Sequence, residues 1–89
     1  MVIFEGKKML SKANLHSEIG SKLNFPDYYG GNLDALWDCL TGWVELPIEI
    51  VWQDFGLVKN SLGDYASSTL KLLQKADGVT VIVKDALES

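Results

Sequence analysis

The chain of 89 residues contains no arginine, a single cysteine and a single histidine. Without arginine it lacks the guanidinium forks that hold phosphate groups, and its net charge of −4 disfavours binding to nucleic acid. A lone cysteine, Cys39, cannot form an intrachain disulfide, which excludes a secreted protein built on a disulfide framework. Cys39 and His16 are also too few for a structural zinc site, which needs about four such ligands. We therefore expect no metal, no cofactor and no nucleic-acid partner.

Long apolar runs are missing as well. The apolar run at residues 2–4 ends at Glu5, which makes it too short for the core of a signal peptide. No segment approaches the roughly 20 apolar residues of a transmembrane helix. Together with the single cysteine, this predicts a protein of the reducing cytoplasm that has no membrane partner. The chain has the size of one domain, residues 1–89, in which we expect residues 84–89 to be a polar tail.

The acidic and aromatic residues are concentrated in one part of the chain. Residues 23–58 contain six carboxylates and no lysine, whereas the remainder contains eight lysines and six carboxylates. The same segment holds seven of the nine aromatic side chains. Aromatic residues next to unpaired charge of one sign are typical of a surface that binds a cationic partner.

Hydrophobic periodicity divides the chain into alternating strands and helices. It predicts strands at 2–4, 48–52 and 79–83, the last of them β-branched throughout and therefore expected to be largely buried. The first predicted helix is capped by Ser11 or Asn14, and the second begins after its cap Asn32 and ends at Gly42 as its C′ residue. A short third helix is predicted near residues 55–61. The fourth begins at Gly63 and Asp64 and is closed by Gly78. Strands separated by helices require crossover connections. The pattern thus predicts an α/β domain with a three-stranded parallel sheet and about four flanking helices.

Asp34 and Asp38 stand four residues apart on the second predicted helix, on one face and roughly opposite its apolar stripe. A solvated helix face is the simpler interpretation. However, the two carboxylates repel each other, and no lysine lies one turn away to relieve them. Asp38 also lies in the C-terminal half, where the helix dipole disfavours an anion. Because conflicts with folding rules are expected at functional sites, we interpret the pair as a candidate binding surface.

The aromatic candidates divide between core and surface. Tyr28 and Tyr29 lie in a loop that contains a proline and two glycines, and we expect one of the two to fill the core. Trp37 occupies a position of the apolar stripe and is expected to be mainly structural. Trp43 suits a structural role and a role as partner anchor equally well.

Catalysis is the main alternative to binding. In glycosidases a pair of carboxylates performs acid–base hydrolysis, and Asp34 and Asp38 could form such a pair. No phosphate-binding loop, nucleophile elbow or zinc motif is present. A domain of this size is also expected to offer little concavity to a substrate. We expect His16 to be an ordinary surface or capping histidine and Cys39 to be a buried, inert thiol. The sequence therefore favours binding.

The segment FPDYYGGNLDALWDCLTGWVE, residues 25–45, closely resembles the defining segment of the barstar family. The resemblance extends more weakly over nearly the whole chain. It implies the family's fold, a three-stranded parallel sheet flanked by helices. It also implies the family's activity, which is the intracellular inhibition of basic, barnase-like ribonucleases in a 1:1 complex without a covalent step, by an inhibitor that is monomeric when free. An alternative is a protein-binding module of the same fold with a different basic partner.

The resemblance also implies roles for individual residues. Asp38 would enter the phosphate site of the ribonuclease, Asp34 would pair with a second cationic group, and Tyr28 would pack on the catalytic histidine of the enzyme. The remaining contact surface would consist of Tyr29, Asn32, Trp37, Thr41, Gly42 and Trp43. The chain departs from the family at Lys75, which matches a partner-contacting glutamate, and at Gly31, where a charged residue is common. These departures predict a partner other than barnase, or an altered affinity for barnase.

Overall fold

The computed structural model describes residues 1–85, which form an α/β fold with alternating strands and helices. The elements are β1 (Val2–Glu5), a 3-10 helix (Gly6–Lys8), α1 (Lys12–Lys22), α2 (Leu33–Gly42), β2 (Ile48–Gln53), α3 (Phe55–Leu62), α4 (Asp64–Lys75) and β3 (Val79–Lys84). The predicted α/β class is confirmed. The predicted polar tail is wrong at its first residue, because Lys84 ends β3, and residues 86–89 lie outside the described part of the chain. None of the helices within residues 1–85 is long and apolar enough to cross a membrane.

The sheet has the order β1-β2-β3 and is parallel throughout. Trp52 of the central strand lies opposite Phe4 on one side and Val83 on the other. The predicted burial of the third strand is wrong, because half-buried and exposed side chains alternate along β3. The reason is that successive side chains of a strand point to opposite faces of the sheet, and the β3 side chains of one face, Ile82 among them, reach solvent. Only β2, between two neighbours, carries a run of buried residues.

The core lies between the sheet and the helices, and it fixes the position of α2. Leu36 and Leu40 of α2 are fully buried, as is Leu73 of α4. Burying each such side chain stabilises the fold by about 1.5–3 kcal/mol. Trp52 packs edge-on against Phe4 and Phe55, at ring-centroid distances of 5.8 and 4.9 Å. Helices α2 and α4 contact each other and lie side by side.

Side-chain caps begin α1 and α2 as the sequence predicts. Of the two candidate caps of α1, the structure selects Ser11, whose Oγ accepts a hydrogen bond of 3.0 Å from the backbone N–H of Asn14. Asn32 caps α2, and its Oδ1 accepts from the backbone N–H of Ala35 at 2.8 Å. Each cap satisfies a donor that the first helical turn leaves free, and replacing such a cap by alanine typically costs about 1 kcal/mol.

The C-terminal ends of two helices differ from the prediction. Gly42 is the last residue of α2 and not its C′ residue, because the right-handed helical conformation continues into Trp43, whose N–H donates to the Cys39 carbonyl. Helix α4 ends at Lys75, since the next residue, Ala76, turns into an extended conformation and is buried. Gly78 has a φ of +82° and forms the turn into β3 instead of closing the helix.

Candidate partner-binding site

The two aspartates of α2 are exposed on one face of the helix. Asp34 lies in the first turn, where the helix dipole favours an anion, and Asp38 lies one turn further on. Within residues 1–85, neither carboxylate has an ion-pair or hydrogen-bond partner. Apart from the backbone hydrogen bonds of the helix, the contact recorded at Asp38 is the Thr41 hydroxyl, which donates to its backbone carbonyl at 3.5 Å. Both carboxylates are therefore free to contact a partner.

An open groove of about 650 Å³ runs between α2 and α4 beside these carboxylates. Its lining consists of Leu33, Asp34, Trp37 and Asp38 from α2 and Lys71, Leu72 and Lys75 from α4. The expectation of little concavity is wrong, because two helices packed side by side leave a furrow between their outer faces. The aspartates are also not wholly opposite the apolar stripe. Only Leu36 and Leu40 point fully into the core, whereas Leu33 and Trp37 are half-buried at the edge of the groove.

The groove carries charge of both signs. Lys71 and Lys75 stand four residues apart on α4 and are exposed, like the aspartates across the groove. No lysine follows the aspartates on their own helix, but the tertiary structure brings two of them close from the neighbouring helix. Even so, none of the ion pairs among the described residues joins the two helices.

The loop before α2 presents one tyrosine outward and one inward, as expected. Tyr28 is 81% exposed, whereas Tyr29 is half-buried and packs edge-on against Phe25 at 4.8 Å. Burial raises the pKa of the Tyr29 hydroxyl well above its ordinary value. An aromatic ring as exposed as Tyr28 has no structural use in the described fold, which makes it a candidate contact residue.

His16 supports this loop from beneath. It is buried on α1, with Nδ1 lying 2.5 Å from the Tyr29 hydroxyl and Nε2 2.6 Å from the Tyr65 hydroxyl. Burial lowers the pKa of the imidazole. The prediction of a surface or capping histidine is therefore wrong. Both partners are distant in the chain, and no local pattern around His16 could have indicated them.

Trp43 and Cys39 close the C-terminal end of α2. The indole N–H of Trp43 donates to the backbone carbonyl of Asn24 at 2.9 Å, while half of the side chain stays exposed. Trp43 thus has a structural contact and also leaves a surface for a partner. Cys39 is half-buried instead of buried, and burial raises the pKa of its thiol, with the nearby Asp38 carboxylate adding to the shift. A thiol of raised pKa is a poor nucleophile.

The groove brings together three of the residues predicted to bind a partner, Asp34, Trp37 and Asp38. Five more are exposed outside the groove lining: Tyr28, Asn32, Thr41, Gly42 and Trp43. Tyr29 is turned inward. The groove adds Lys71, which the sequence analysis did not single out, because nothing in the sequence pattern placed α4 beside α2. No cluster of three or more potential metal ligands occurs in the part of the chain that the structure describes.

Comparisons with known proteins identify the family of the chain. The chain matches the family model described as "Barstar (barnase inhibitor)" over residues 1–85. It is also 48% identical over 75 residues to a protein of Bacillus subtilis (strain 168) named "Putative ribonuclease inhibitor YrdF". That match covers 84% of this chain and 82% of the relative. On the grounds of these two matches, the chain belongs to the barstar family.

Proposed function

We propose that this protein inhibits a basic, barnase-type ribonuclease by covering its active site in a 1:1 complex. The observation that carries the proposal is the pair of exposed carboxylates on α2, Asp34 and Asp38, which have no partner among residues 1–85. A ribonuclease active site holds cations that bind RNA phosphate. A carboxylate fixed on a helix can take the place of that phosphate without offering a bond to cleave.

The surroundings of the two carboxylates support the same function. Asp38 enters the phosphate site, Asp34 pairs with a second cation, and the exposed ring of Tyr28 packs against the catalytic histidine. Asn32, Thr41, Gly42 and the exposed half of Trp43 extend the contact, while Trp37 and Tyr29 support it from the edge of the core. An aromatic anchor beside buried charge pairs is the usual composition of an energetic centre in an interface.

Inhibition of this kind involves no chemistry by the protein itself. Family membership favours an inhibitor over the small acid–base hydrolase that the two aspartates also suggest. The free inhibitor is a monomer, and it acts in the cytoplasm, where it protects the cell from a ribonuclease made there. A module of the same fold with another basic partner is the competing proposal.

The test is titration of the purified protein against a panel of barnase-type ribonucleases, with residual RNA cleavage as the readout. We expect full inhibition of at least one enzyme at a molar ratio of 1:1. Asp77→Asn provides a control, because it removes an exposed carboxylate outside the groove and should inhibit as the native protein does. Failure with every ribonuclease would favour the competing module. Turnover of a substrate by the isolated protein, lost in Asp34→Asn, would favour the hydrolase.

A further inference from the structure

The groove between α2 and α4 is not simply acidic. Asp34 and Asp38 form one row of charge, and Lys71 and Lys75 form an opposite row on the neighbouring helix. Half-buried apolar side chains, Trp37 and Leu72 among them, complete the lining. The lining is therefore electrically neutral overall but divided into an anionic and a cationic side.

The stability of the helices explains only part of each row, because the helix dipoles favour Asp34 in the first turn of α2 and Lys75 in the last turn of α4, but not Asp38 or Lys71. Like charges four residues apart on a helix destabilise it, and both helices carry such a pair. The rows could relieve each other by pairing across the groove, but no such ion pair forms among the described residues. By contrast, Lys22 pairs with Glu5 and with Glu18 on another face of the molecule. The unpaired rows are thus the feature that calls for a partner.

A partner whose facing surface is purely cationic fits only half of this groove. It would be attracted by the aspartates and repelled by the lysines. At physiological ionic strength the screening length is about 8 Å, so each row acts mainly on the charges of the partner directly opposite to it. The attraction by the aspartates and the repulsion by the lysines therefore act at different places on the partner. Repulsion of this kind is how interfaces exclude wrong partners.

We propose that Lys71 and Lys75 determine which ribonuclease is bound, and that the cognate enzyme places at least one carboxylate opposite them, beside the cationic site that receives Asp34 and Asp38. This inference rests on the proposed function and specifies its partner. The cognate ribonuclease carries cations at its phosphate site and an acidic group at the adjoining rim, whereas an enzyme with cations at both places is bound less tightly.

The probe is barnase together with a set of its variants, in each of which one lysine or arginine bordering the active-site cleft is replaced by glutamate. Each is titrated with the native protein, with Lys75→Glu and with Lys71→Glu. Lys7→Glu is the matched control, because it makes the same charge change at an exposed residue outside the groove lining. Lys75→Gln removes the positive charge without adding a negative one, and urea unfolding checks that each variant is folded.

We expect Lys75→Glu to bind barnase more tightly than the native protein does, with Lys75→Gln intermediate and Lys7→Glu unchanged. At least one glutamate variant of barnase should show the reverse order and prefer the native protein. The expected coupling is about fivefold or more, as is usual for charges in contact.

Two outcomes would overturn the inference in different ways. Complexes that form but show no coupling between the groove lysines and any ribonuclease position would contradict this inference and leave the proposed function intact. The absence of a complex with every ribonuclease and every variant would contradict the proposed function, and this inference with it.

Discussion

The Nε2 atom of His16 and the hydroxyl of Tyr65 lie 2.6 Å apart, although 49 positions separate the two residues in the chain. On the other side of the ring, Nδ1 lies 2.5 Å from the hydroxyl of Tyr29. A neutral imidazole has one donor and one acceptor nitrogen, so one tyrosine accepts a hydrogen bond from the ring and the other donates one to it. One side chain of α1 thereby joins α4 to the loop that presents Tyr28.

The first prediction concerns pH. Burial lowers the pKa of His16 in the folded protein below its ordinary value of 6.5, so the unfolded chain binds more protons between the two pKa values. The stability contributed by neutral His16 is complete above pH 6.5 and is lost as the pH falls towards the folded-state pKa. Urea unfolding at about pH 7.5 and about pH 5.5 should show a lower midpoint at the lower pH.

The His16→Gln variant provides the control for this prediction, because it removes the titrating group. Its unfolding midpoint should be lower at neutral pH but should change little between the two pH values. Glu5, whose pKa is lowered chiefly by its hydrogen bonds with Lys22 and Lys8, loses its contribution only near and below its ordinary 4.5, outside this window. An equal pH dependence in the native protein and the variant would contradict the role given to His16.

The second prediction separates the two tyrosines of the loop. Tyr28→Ala should leave the unfolding midpoint nearly unchanged, because the side chain is 81% exposed, and should weaken ribonuclease binding by about 2 kcal/mol or more if the ring is an anchor. Tyr29→Phe should do the opposite. It removes the hydroxyl bonded to His16 and should cost about 0.5–1.5 kcal/mol of stability, with a smaller effect on binding. Urea unfolding measures the stability of each variant, and calorimetric titration measures its binding to the ribonuclease. Equal losses of binding in Tyr28→Ala and Tyr29→Phe would contradict the assignment of Tyr28 to the partner and of Tyr29 to the fold.

The third prediction concerns Asp38. Replacing it by alanine should weaken ribonuclease binding by about 2–5 kcal/mol or more, because several cations of the enzyme would lose their anion. This range is itself based partly on measurements of the barnase–barstar complex. The free protein should be as stable as before or slightly more so. The change removes the repulsion with Asp34 and an anion from the unfavourable half of α2, and it introduces the best helix former, each worth a few tenths of a kcal/mol.

Asp34→Ala is the informative comparison, because Asp34 lies in the first turn, where its charge favours the helix. Its removal should therefore stabilise the free protein less than the removal of Asp38. A clear fall in the unfolding midpoint of Asp38→Ala would show that Asp38 serves the fold instead of the partner.

The fourth prediction concerns association kinetics. Exposed carboxylates that meet a cationic active site should accelerate encounter, so the on-rate should fall steeply as salt rises, while the off-rate changes less. Stopped-flow mixing at increasing sodium chloride concentration measures this. The slope should be shallower in Asp34→Asn/Asp38→Asn than in the native protein. An on-rate independent of salt would show that these charges do not steer association.

Much of the fold and part of the candidate site followed from the sequence alone. The Asn32 cap, the order of strands and helices and the exposure of Asp34 and Asp38 were predictable, because capping and amphipathic periodicity depend on residues at most a few positions apart. For α1 the sequence offered Ser11 and Asn14 equally, and the structure selected Ser11. The run at residues 25–45 also resembles the barstar family's defining segment closely enough to indicate the family.

Only the tertiary structure decided what lies beside the aspartates and beneath the loop. Lys71 and Lys75 line the groove because α4 packs beside α2. His16 of α1 is buried against Tyr65 of α4, which is 49 residues away in the chain. The exposure of alternate residues in β3 depends on which face of the sheet other elements cover, which its run of β-branched residues does not reveal. The sequence determines each element through local interactions, whereas contacts across tens of residues depend on how the elements share one core, and no spacing along the chain encodes them.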